Sequence, residues 1–387
     1  MSLNTIQQIF ETVNSAKKIL ITFNSGAGGD AVGASLSLAK LFKKMDKESD
    51  IISVNWCGKQ YQFLPTSDQI KTQAAGLQKF IIHLDTAKTK VKELEYEVKN
   101  ERTLEIKITP QSGFFTLKDV KTATAGFAYD LVIVLDTPDL ESLGELYEHN
   151  TEFFYQVPII NIDHQPQNEH FGHINYVELA ACSVCEMIYE IINHLGGTLD
   201  NETATWLLTG IIAKTKNFRA PKITPKCLQR VSELIANGAE REIIMRNLYW
   251  SRSTATIQLW GRALAKLKHE PTAHAVISYL SHQDFKETGT EEEDLNDVID
   301  ELISCSPEAQ IIILLMETQK ENQPFIKALV SVHHHYNALE ICKSFEPAGN
   351  RQLAICEFAN HTAQEVEDKI LAAAKKTGQT LGSETVA

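Results

Sequence analysis

Ile19-Leu20-Ile21-Thr22-Phe23 is a short apolar run that meets the glycine-rich turn Asn24-Ser25-Gly26-Ala27-Gly28-Gly29-Asp30. An amphipathic helical pattern follows the turn and continues to residue 44. Together they predict a strand–turn–helix unit whose loop lies at the carboxyl end of the strand, where open α/β sheets bind their ligands. Asp30 is the acidic residue of that loop, at the start of the predicted helix.

The composition is that of an acidic globular protein. The chain has 387 residues, of which 43% are hydrophobic, and its 37 basic and 50 acidic residues give a net charge of −13. This length favours two domains, and the charge argues against broad non-specific binding to nucleic acid or anionic membranes. No apolar run approaches the roughly 20 residues of a membrane span, and seven scattered cysteines are typical of reduced thiols. We therefore predict a cytoplasmic protein without a membrane partner.

Strands and helices alternate through the first half of the chain, which predicts an α/β domain with a doubly wound parallel sheet. The apolar runs at 51–56, 131–135 and 157–162 are its further predicted strands. Residues 88–118 interrupt this order with runs that alternate apolar and polar side chains, the last of them Phe114–Leu117. We interpret them as a small β-meander insertion, which offers a docking surface for a protein partner.

The second half of the chain changes character twice. Helical patterns dominate from residue 183 to about 267, and an α/β pattern returns near residue 270. The predicted domains are therefore an α/β domain at 1–215, a helical linker at 216–269 and a second, smaller α/β domain at 270–387. Cys182-x-x-Cys185 stands at a predicted helix start, and without a second pair nearby we interpret it as a packed thiol pair rather than a zinc site.

Acidic residues follow three of the predicted strands, as Asp30, Asp136 and the pair Asp163/His164. Because parallel strands end at one edge of their sheet, these side chains are expected to converge there. Carboxylates and an imidazole would suit Mn²⁺ or Mg²⁺. Each acid taken alone is more often a helix cap or a turn former, so the information lies in their order and spacing.

Four stretches together resemble the DHH phosphoesterases that carry a carboxyl-terminal DHHA1 domain, above all the nanoRNase-like and phosphoadenosine-phosphate phosphatase-like members. These stretches are Gly29–Ala34, Leu135–Gly144, Asn161–Asn168 and Leu208–Thr215. The resemblance covers nearly the whole chain. It implies a DHH domain, a DHHA1-like second domain, a Mn²⁺-dependent phosphoesterase activity and a nucleotide or short RNA as ligand.

The chain departs from the family's motifs at the positions that carry the chemistry. The first motif usually reads His-x-x-Pro-Asp-Gly-Asp, whereas here Asn24 replaces the His, Gly28 replaces the first Asp and Asp30 remains. Gln165 stands at the second His of Asp-His-His. The fourth motif normally adds an acid where this chain has Lys214.

The resemblance implies two metal sites, of which this chain retains one at most. The first would use the positions of Asn24, Gly28 and Asp136 and is lost. The second would use Asp30, Asp136 and His164, so that one Mn²⁺ or Mg²⁺, or no metal at all, is expected. We expect the Lys214 ammonium to substitute for a metal charge beside Asp30 and Asp136. The alternative is that Lys214 points into solvent, as most lysines do.

The candidate substrate contacts are the remaining family positions, in both domains: Asn24, Gln165, His333, His334 and Asn350. The basic residues that follow Lys214 are either a solvated helix end or an RNA contact.

Three functions remain open at this stage. The first is a degenerate DHH/DHHA1 protein that binds a nucleotide or short RNA with weak or no phosphodiesterase activity. The second is an active, atypical single-metal oligoribonuclease or nucleotide phosphatase. The third is a non-catalytic interaction scaffold, either as a homodimer or with a protein partner at 88–118. Whether the chain is an enzyme is therefore left open.

Overall fold

The computed structural model describes residues 4–74, 76–100, 103–220, 222–250, 252–295, 298–301, 303, 306, 309–320, 323–333 and 336–384. The chain forms two compact units, residues 1–250 and 251–387. The segment 216–269, which was predicted as a helical linker, is divided between them.

The first unit is built on a parallel sheet that confirms the doubly wound α/β prediction. Its strands are β1 (Lys18–Thr22), β2 (Glu48–Ile52), β3 (Ile70–Lys71), β8 (Leu131–Leu135), β9 (Ile159–Asp163) and β10 (Ile174–Val177), and an arm described below contributes β4 to β7. The spatial order is β10-β9-β8-β1-β2-β3, with parallel pairing throughout.

Alternate residues of the central strands pack into two separate cores. Ile19 and Ile21 of β1 join one hydrophobic cluster, whereas Leu20 between them joins a second cluster with Phe153 and Phe154. Because all of these side chains are buried, both faces of the sheet are covered, as in a parallel sheet flanked by helices. The strand ends at the carboxyl edge are left to carry polar residues.

The helices of the first unit cover that sheet. They are α1 (Thr5–Ser15), α2 (Gly29–Lys44), α3 (Glu145–Glu148), α4 (Thr151–Gln156), α5 (Val184–His194), α6 (Asn201–Lys214), α7 (Pro225–Ala236) and α8 (Arg241–Leu248). Helix α2 packs closely on α6, and the carbonyl of Trp206 would lie only 2.2 Å from a Cβ at Gly33. Gly33 therefore permits the close helix contact that holds the start of α2 in place.

Residues 78–127 form a projecting arm of two nested hairpins. Its strands are β4 (Gln78–Leu84), β5 (Val91–Lys99), β6 (Thr103–Pro110) and β7 (Val120–Phe127). β4 pairs with β7, and β5 pairs with β6. The prediction of a strand at Phe114–Leu117 was wrong, since that segment is a loop ending in a 3₁₀ turn, and β7 follows it instead.

One face of the β5–β6 hairpin is apolar and open to solvent. Leu94, Tyr96 and Val98 are 60%, 75% and 63% exposed, and their cross-strand partners Ile108, Ile106 and Leu104 point to the same face. Docking of a protein partner on this surface stays a prediction.

The second unit has a mixed sheet with helices. Its strands are β11 (Lys268–Glu270), β12 (Ala275–Leu280), β13 (Ile311–Lys320), β14 (Gln323–Val332), β15 (Ala348–Gly349) and β16 (Leu353–Ala359), in the order β11-β12-β13-β14-β16-β15. Its helices are α9 (Thr254–Ala265), α10 (His282–Thr288), α11 (Val298–Glu301), α12 (Ala338–Cys342) and α13 (Ala363–Glu384). Its DHHA1-like character stays a prediction. None of the described helices in either unit has the length and apolar character needed to cross a bilayer.

Candidate functional site

Asp30 lies in the first turn of α2 and is 1% exposed. Its two carboxylate oxygens accept hydrogen bonds from the backbone N–H groups of Val184 and Cys185, at 2.7 and 2.8 Å. These amides belong to the amino-terminal turn of α5, whose Ser183 cap accepts from Glu186 N–H. Asp30 therefore takes the place of an anion at that helix terminus, where the free amides favour negative charge.

Asp136 follows β8 in a left-handed backbone conformation, with φ of +47°, which aspartate tolerates better than most residues. The Nζ of Lys214, from the last turn of α6, lies 2.8 Å from its Oδ1 and 3.0 Å from its Oδ2. Gln165 Nε2 donates to Oδ1 at 3.0 Å. The side chains of Lys214 and Asp136 are 29% and 6% exposed, so this ion pair is largely buried and solvent reaches it from the lysine side.

His164 completes the cluster and lacks a hydrogen bond. Its Nε2 lies 3.9 Å from Asp30 Oδ2 and 3.7 Å from Asp136 Oδ1. The backbone of Ala181 lies near the ring, yet neither ring nitrogen makes a hydrogen bond of normal geometry to a described residue. Buried polar atoms are nearly always hydrogen-bonded, so an imidazole left in this state points to a ligand, an ion or water.

Burial sets the protonation of these groups. Desolvation and the neighbouring Asp136 carboxylate raise the pKa of Asp30 to about 7, against the lowering effect of Lys214 and the two amides. Desolvation and the Lys214 ammonium lower the pKa of His164 to about 4, so the imidazole is neutral at pH 7. Burial works to lower the pKa of Lys214, but the Asp136 and Asp30 carboxylates outweigh it and raise that pKa, which keeps the ammonium charged.

Asp163 has a structural role in its loop. One of its oxygens accepts the N–H groups of His164 and Gln165, and the other accepts the Asn168 side-chain amide at 2.7 Å. Asn24 is also engaged locally, since its Nδ2 donates to the Asp136 carbonyl at 3.2 Å. These contacts fix the loops that present Asp136 and His164 to the site.

The residues present fit at most one divalent ion. Asp30, Asp136 and His164 offer ligand atoms that all lie within 4.8 Å of one another, and all three side chains are buried. The unpartnered nitrogens of a neutral His164 suit a metal. An ion here would compete with Lys214, which already contacts both oxygens of Asp136. A second ion does not fit, because Gly28 has no side-chain ligand atom and the Asn24 side-chain amide donates to the Asp136 carbonyl.

Residues 18–211, half of the chain, match the sequence profile of the family described as "DHH family, N-terminal domain". The chain belongs to the DHH family. The DHH part of the resemblance is thereby confirmed, and the chain is phosphoesterase-like at the level of its family. Asp30, Asp136 and His164 fall inside the matched range, whereas Lys214 lies three residues beyond its end.

Curated relatives carry related sequence over part of their length. The bifunctional oligoribonuclease and PAP phosphatase NrnA of Thermus thermophilus is 30% identical over 135 residues, which are 35% of this chain and 40% of that protein. NrnA of Bacillus subtilis is 30% identical over 141 residues, which are 36% of this chain and 43% of that protein. The chain thus spans about two fifths of the length of these curated relatives.

A solved structure shares the fold over nearly the full length. An exopolyphosphatase-related protein from Bacteroides fragilis superposes with a TM-score of 0.74 at 18% identity, covering 98% of this chain and 97% of that protein. At this identity the likeness establishes the fold alone.

The predicted site residues of the second half lie in the second unit. His333 follows β14, and Asn350 lies in the turn between β15 and β16. Strand β16 pairs with β14. The Asn350 side-chain oxygen accepts the N–H groups of Gln352 and Leu353, so it serves the turn. His334 lies outside the described residues. A substrate role for these side chains stays a prediction.

The sequence reading missed the groups that hold Asp30. Ser183-x-x-Glu186 before an apolar run is a recognisable helix start, and it marked the amides of Val184 and Cys185 as available donors. Cys182 and Cys185 are both packed in one hydrophobic cluster, but their sulfur atoms have separate partners: the Cys185 thiol donates to the Asp30 carbonyl at 3.2 Å, and Cys182 contacts Cys227.

Proposed function

We propose that the chain is a degenerate DHH-family protein that binds a nucleotide or short RNA through phosphate, with weak or no phosphodiesterase activity. The observation that carries this proposal is the contact of Lys214 Nζ with both oxygens of Asp136. In two-metal hydrolysis, paired ions activate water and stabilise the leaving oxygen. Here a fixed ammonium occupies the carboxylate on which both ions would depend, and it can neither polarise water as a metal does nor exchange.

The same site keeps hydrogen-bond donors that a phosphate could use. Helix α2 has 16 residues, and its Gly28 cap provides no side-chain hydrogen bond, so backbone N–H groups remain at its start. Lys214 adds a cation, and the unpartnered His164 ring adds a donor in its neutral form. Donors of these kinds bind a phosphate without a reaction step, which supports binding rather than hydrolysis.

The direct test is hydrolysis of a dinucleotide and of phosphoadenosine phosphate with Mn²⁺ added. We expect at most weak turnover, and we expect it to persist in the Asp136→Ala variant, which serves as the matched blank. Turnover that Asp136→Ala abolishes would contradict the proposal. A thermal-shift series with the same ligands and no metal then separates a binder, whose melting temperature rises, from an inert scaffold, whose melting temperature is unchanged.

A second candidate function is an atypical single-metal hydrolase at Asp30, Asp136 and His164. The neutral His164 supports it, because its Nε2 faces the carboxylates of Asp30 and Asp136, as a metal ligand would. When bound, such an ion would polarise a phosphoryl oxygen, while Asp30 and Asp136 would orient it.

Two variants at one position separate the candidates. Lys214→Asp supplies the acid expected from the family, whereas Lys214→Met only removes the ammonium. If Lys214 excludes the metal, Mn²⁺ raises the melting temperature of Lys214→Asp by several degrees and leaves the wild type unchanged. A Mn²⁺ shift of the wild type that is lost in His164→Gln favours the single-metal candidate.

A further inference from the structure

Asp30, Asp136, His164 and Lys214 form what we call the strand-end cluster. Two buried cysteines lie close to it in the chain without taking part in it. Cys182 immediately precedes the Ser183 cap of α5, and Cys227 lies in the first turn of α7. Their sulfur atoms are 2.7 Å apart, although 45 residues separate them in sequence. Both side chains are buried, and Glu186 lies next to them with its Oε2 accepting the Cys182 N–H at 2.9 Å.

The sulfur separation decides between a metal and a covalent link. Two thiolates that share a tetrahedral zinc lie about 2.3 Å from the ion and therefore about 3.8 Å from each other. At 2.7 Å an ion bound to both would have a sulfur–metal–sulfur angle of only about 72°, far from tetrahedral. A disulfide needs roughly 2.05 Å, which is about 0.65 Å shorter than the observed separation of 2.7 Å. The geometry thus fits a sulfur–sulfur bond better than an ion.

We propose that Cys182 and Cys227 are a reversible disulfide site that ties the start of α7 to the start of α5. The oxidant is a low-molecular-weight disulfide. The Cys227 thiolate attacks it, which forms a mixed disulfide and releases one small thiol. The Cys182 sulfur, after losing its proton, then displaces the second small thiol. Two protein thiols are oxidised, and the small disulfide is reduced to two thiols.

The surroundings assign the roles of the two sulfurs. The Cys182 thiol donates to Cys227, which lowers the pKa of Cys227 and raises that of Cys182, so Cys227 is the first nucleophile. Cys227 is fully buried, and exchange therefore requires the first turn of α7 to open. Formation is accordingly expected over minutes to hours, and the bond is protected once it has closed.

A Cys182–Cys227 disulfide would affect the strand-end cluster through the backbone of α5, without contacting a bound ligand. Cys182 lies two and three residues before Val184 and Cys185, whose amides hold Asp30. A covalent link at Cys182 restrains that turn of α5. This inference does not depend on the proposed function, since the thiol pair is separate from Lys214 and His164.

The test uses the full-length protein, reduced and then incubated with oxidised glutathione. Free thiols are alkylated after denaturation, and the linked peptides are identified by mass spectrometry. We expect a peptide containing Cys182 joined to one containing Cys227, reversal by dithiothreitol, and a melting temperature roughly 5–10 °C above that of the reduced form. This mapping needs no variant and so does not depend on the folding of a mutant.

Matched variants complete the test. Cys227→Ser is expected to abolish the rise in melting temperature, whereas Cys185→Ser retains it. Cys342→Ser also retains it, although Cys342 and Cys356 form a second thiol contact in the other unit. The proposal is overturned if Cys182 and Cys227 are both alkylated throughout, if Cys182 is joined to Cys185, or if native mass spectrometry finds a zinc ion held by the reduced pair.

Discussion

The strand-end cluster buries charged side chains, whereas the arm exposes apolar ones. At the strand ends, Asp30 and Asp136 are buried, and their oxygens are already engaged by amides, Gln165 and Lys214. In the arm, apolar residues such as Tyr96 stand in solvent. The strand-end cluster holds buried charges that only neighbouring groups stabilise. The arm exposes an apolar surface that is not packed against the rest of the fold. Substitutions should therefore be costly in the cluster and nearly silent in the arm.

The largest expected effect is that of Asp30→Ala. It removes the acceptor of two buried amides, and each amide left unsatisfied costs about 1–3 kcal/mol, partly offset because the burial cost of the Asp30 charge and its repulsion with Asp136 are removed as well. We expect the free energy of unfolding to fall by about 2–4 kcal/mol in urea denaturation at pH 7. The arm provides the control in Asp119→Ala, whose carboxylate caps Thr116 in a solvated turn and whose loss should be much smaller. Equal losses would contradict the contrast.

The pH dependence of stability tests the buried charges directly. Folding raises the pKa of Asp30 from 3.8 to about 7, so its contribution to stability is present at low pH and is lost as the pH rises through about 7. Folding lowers the pKa of His164 from 6.5 to about 4, so its contribution is present above about 6.5 and is lost as the pH falls through about 4. Between about pH 4.5 and 6 the two contributions cancel, because the folded and unfolded states bind equal numbers of protons.

Single variants remove that cancellation in opposite directions. Relative to the wild type, the free energy of unfolding of His164→Gln should fall with rising pH by up to about 1.4 kcal/mol per unit, and that of Asp30→Asn should rise by as much. The measurement is urea denaturation from pH 4.5 to 6 with a chelator present. The main causes of each shift, burial and the charges of Asp136 and Lys214, survive in both variants. Three parallel curves would disprove the assignment.

A smaller effect is expected for Lys214→Met. It leaves the Asp136 carboxylate beside Asp30 with the Gln165 amide as its remaining side-chain donor among the described residues. Because the Lys214 side chain is 29% exposed, solvent screens part of the loss, and we expect about 1–2 kcal/mol in the free energy of unfolding. Lys226→Met is the comparison, since Lys226 pairs with Glu190 but its own side chain is 54% exposed, and its loss should change stability by less than about 1 kcal/mol.

The smallest effect is expected in the arm. Tyr96→Ser removes a side chain that is 75% exposed, and we expect the free energy of unfolding to change by less than about 0.5 kcal/mol. Chemical denaturation followed by tryptophan fluorescence measures it. A loss above 1 kcal/mol would mean that the hairpin face contributes to the folding of the first unit, and the contrast between the two regions would fail.

The sequence allowed the site to be predicted where its residues follow successive strands of one parallel sheet. The strand ends at Asp30, Asp136 and His164 could be predicted to meet because parallel strands share one edge. Lys214 could be placed beside them only because it stands at the acid position of the fourth motif. Helix periodicity does not predict which groups the last turn of α6 faces.

What the sequence could not supply are contacts between distant segments. Nothing near Cys182 indicates Cys227, and nothing in Asp30 indicates the amides of α5. The alternation at Phe114–Leu117 suggested a strand, but a strand also requires a partner, and β4 pairs with β7 instead.

The arm also has a consequence for the chain's history and for its use in engineering. Leu84 lies opposite Val120, and Asp85 N–H donates to the Asp119 carbonyl at 2.7 Å, so residues 85–119 leave and re-enter the fold at neighbouring points. Residues 85–119 can therefore be replaced as a unit, either in evolution or by protein engineering. A short turn or a fluorescent reporter could take their place. The cluster at the strand ends would then keep its geometry while the outline of the protein changes.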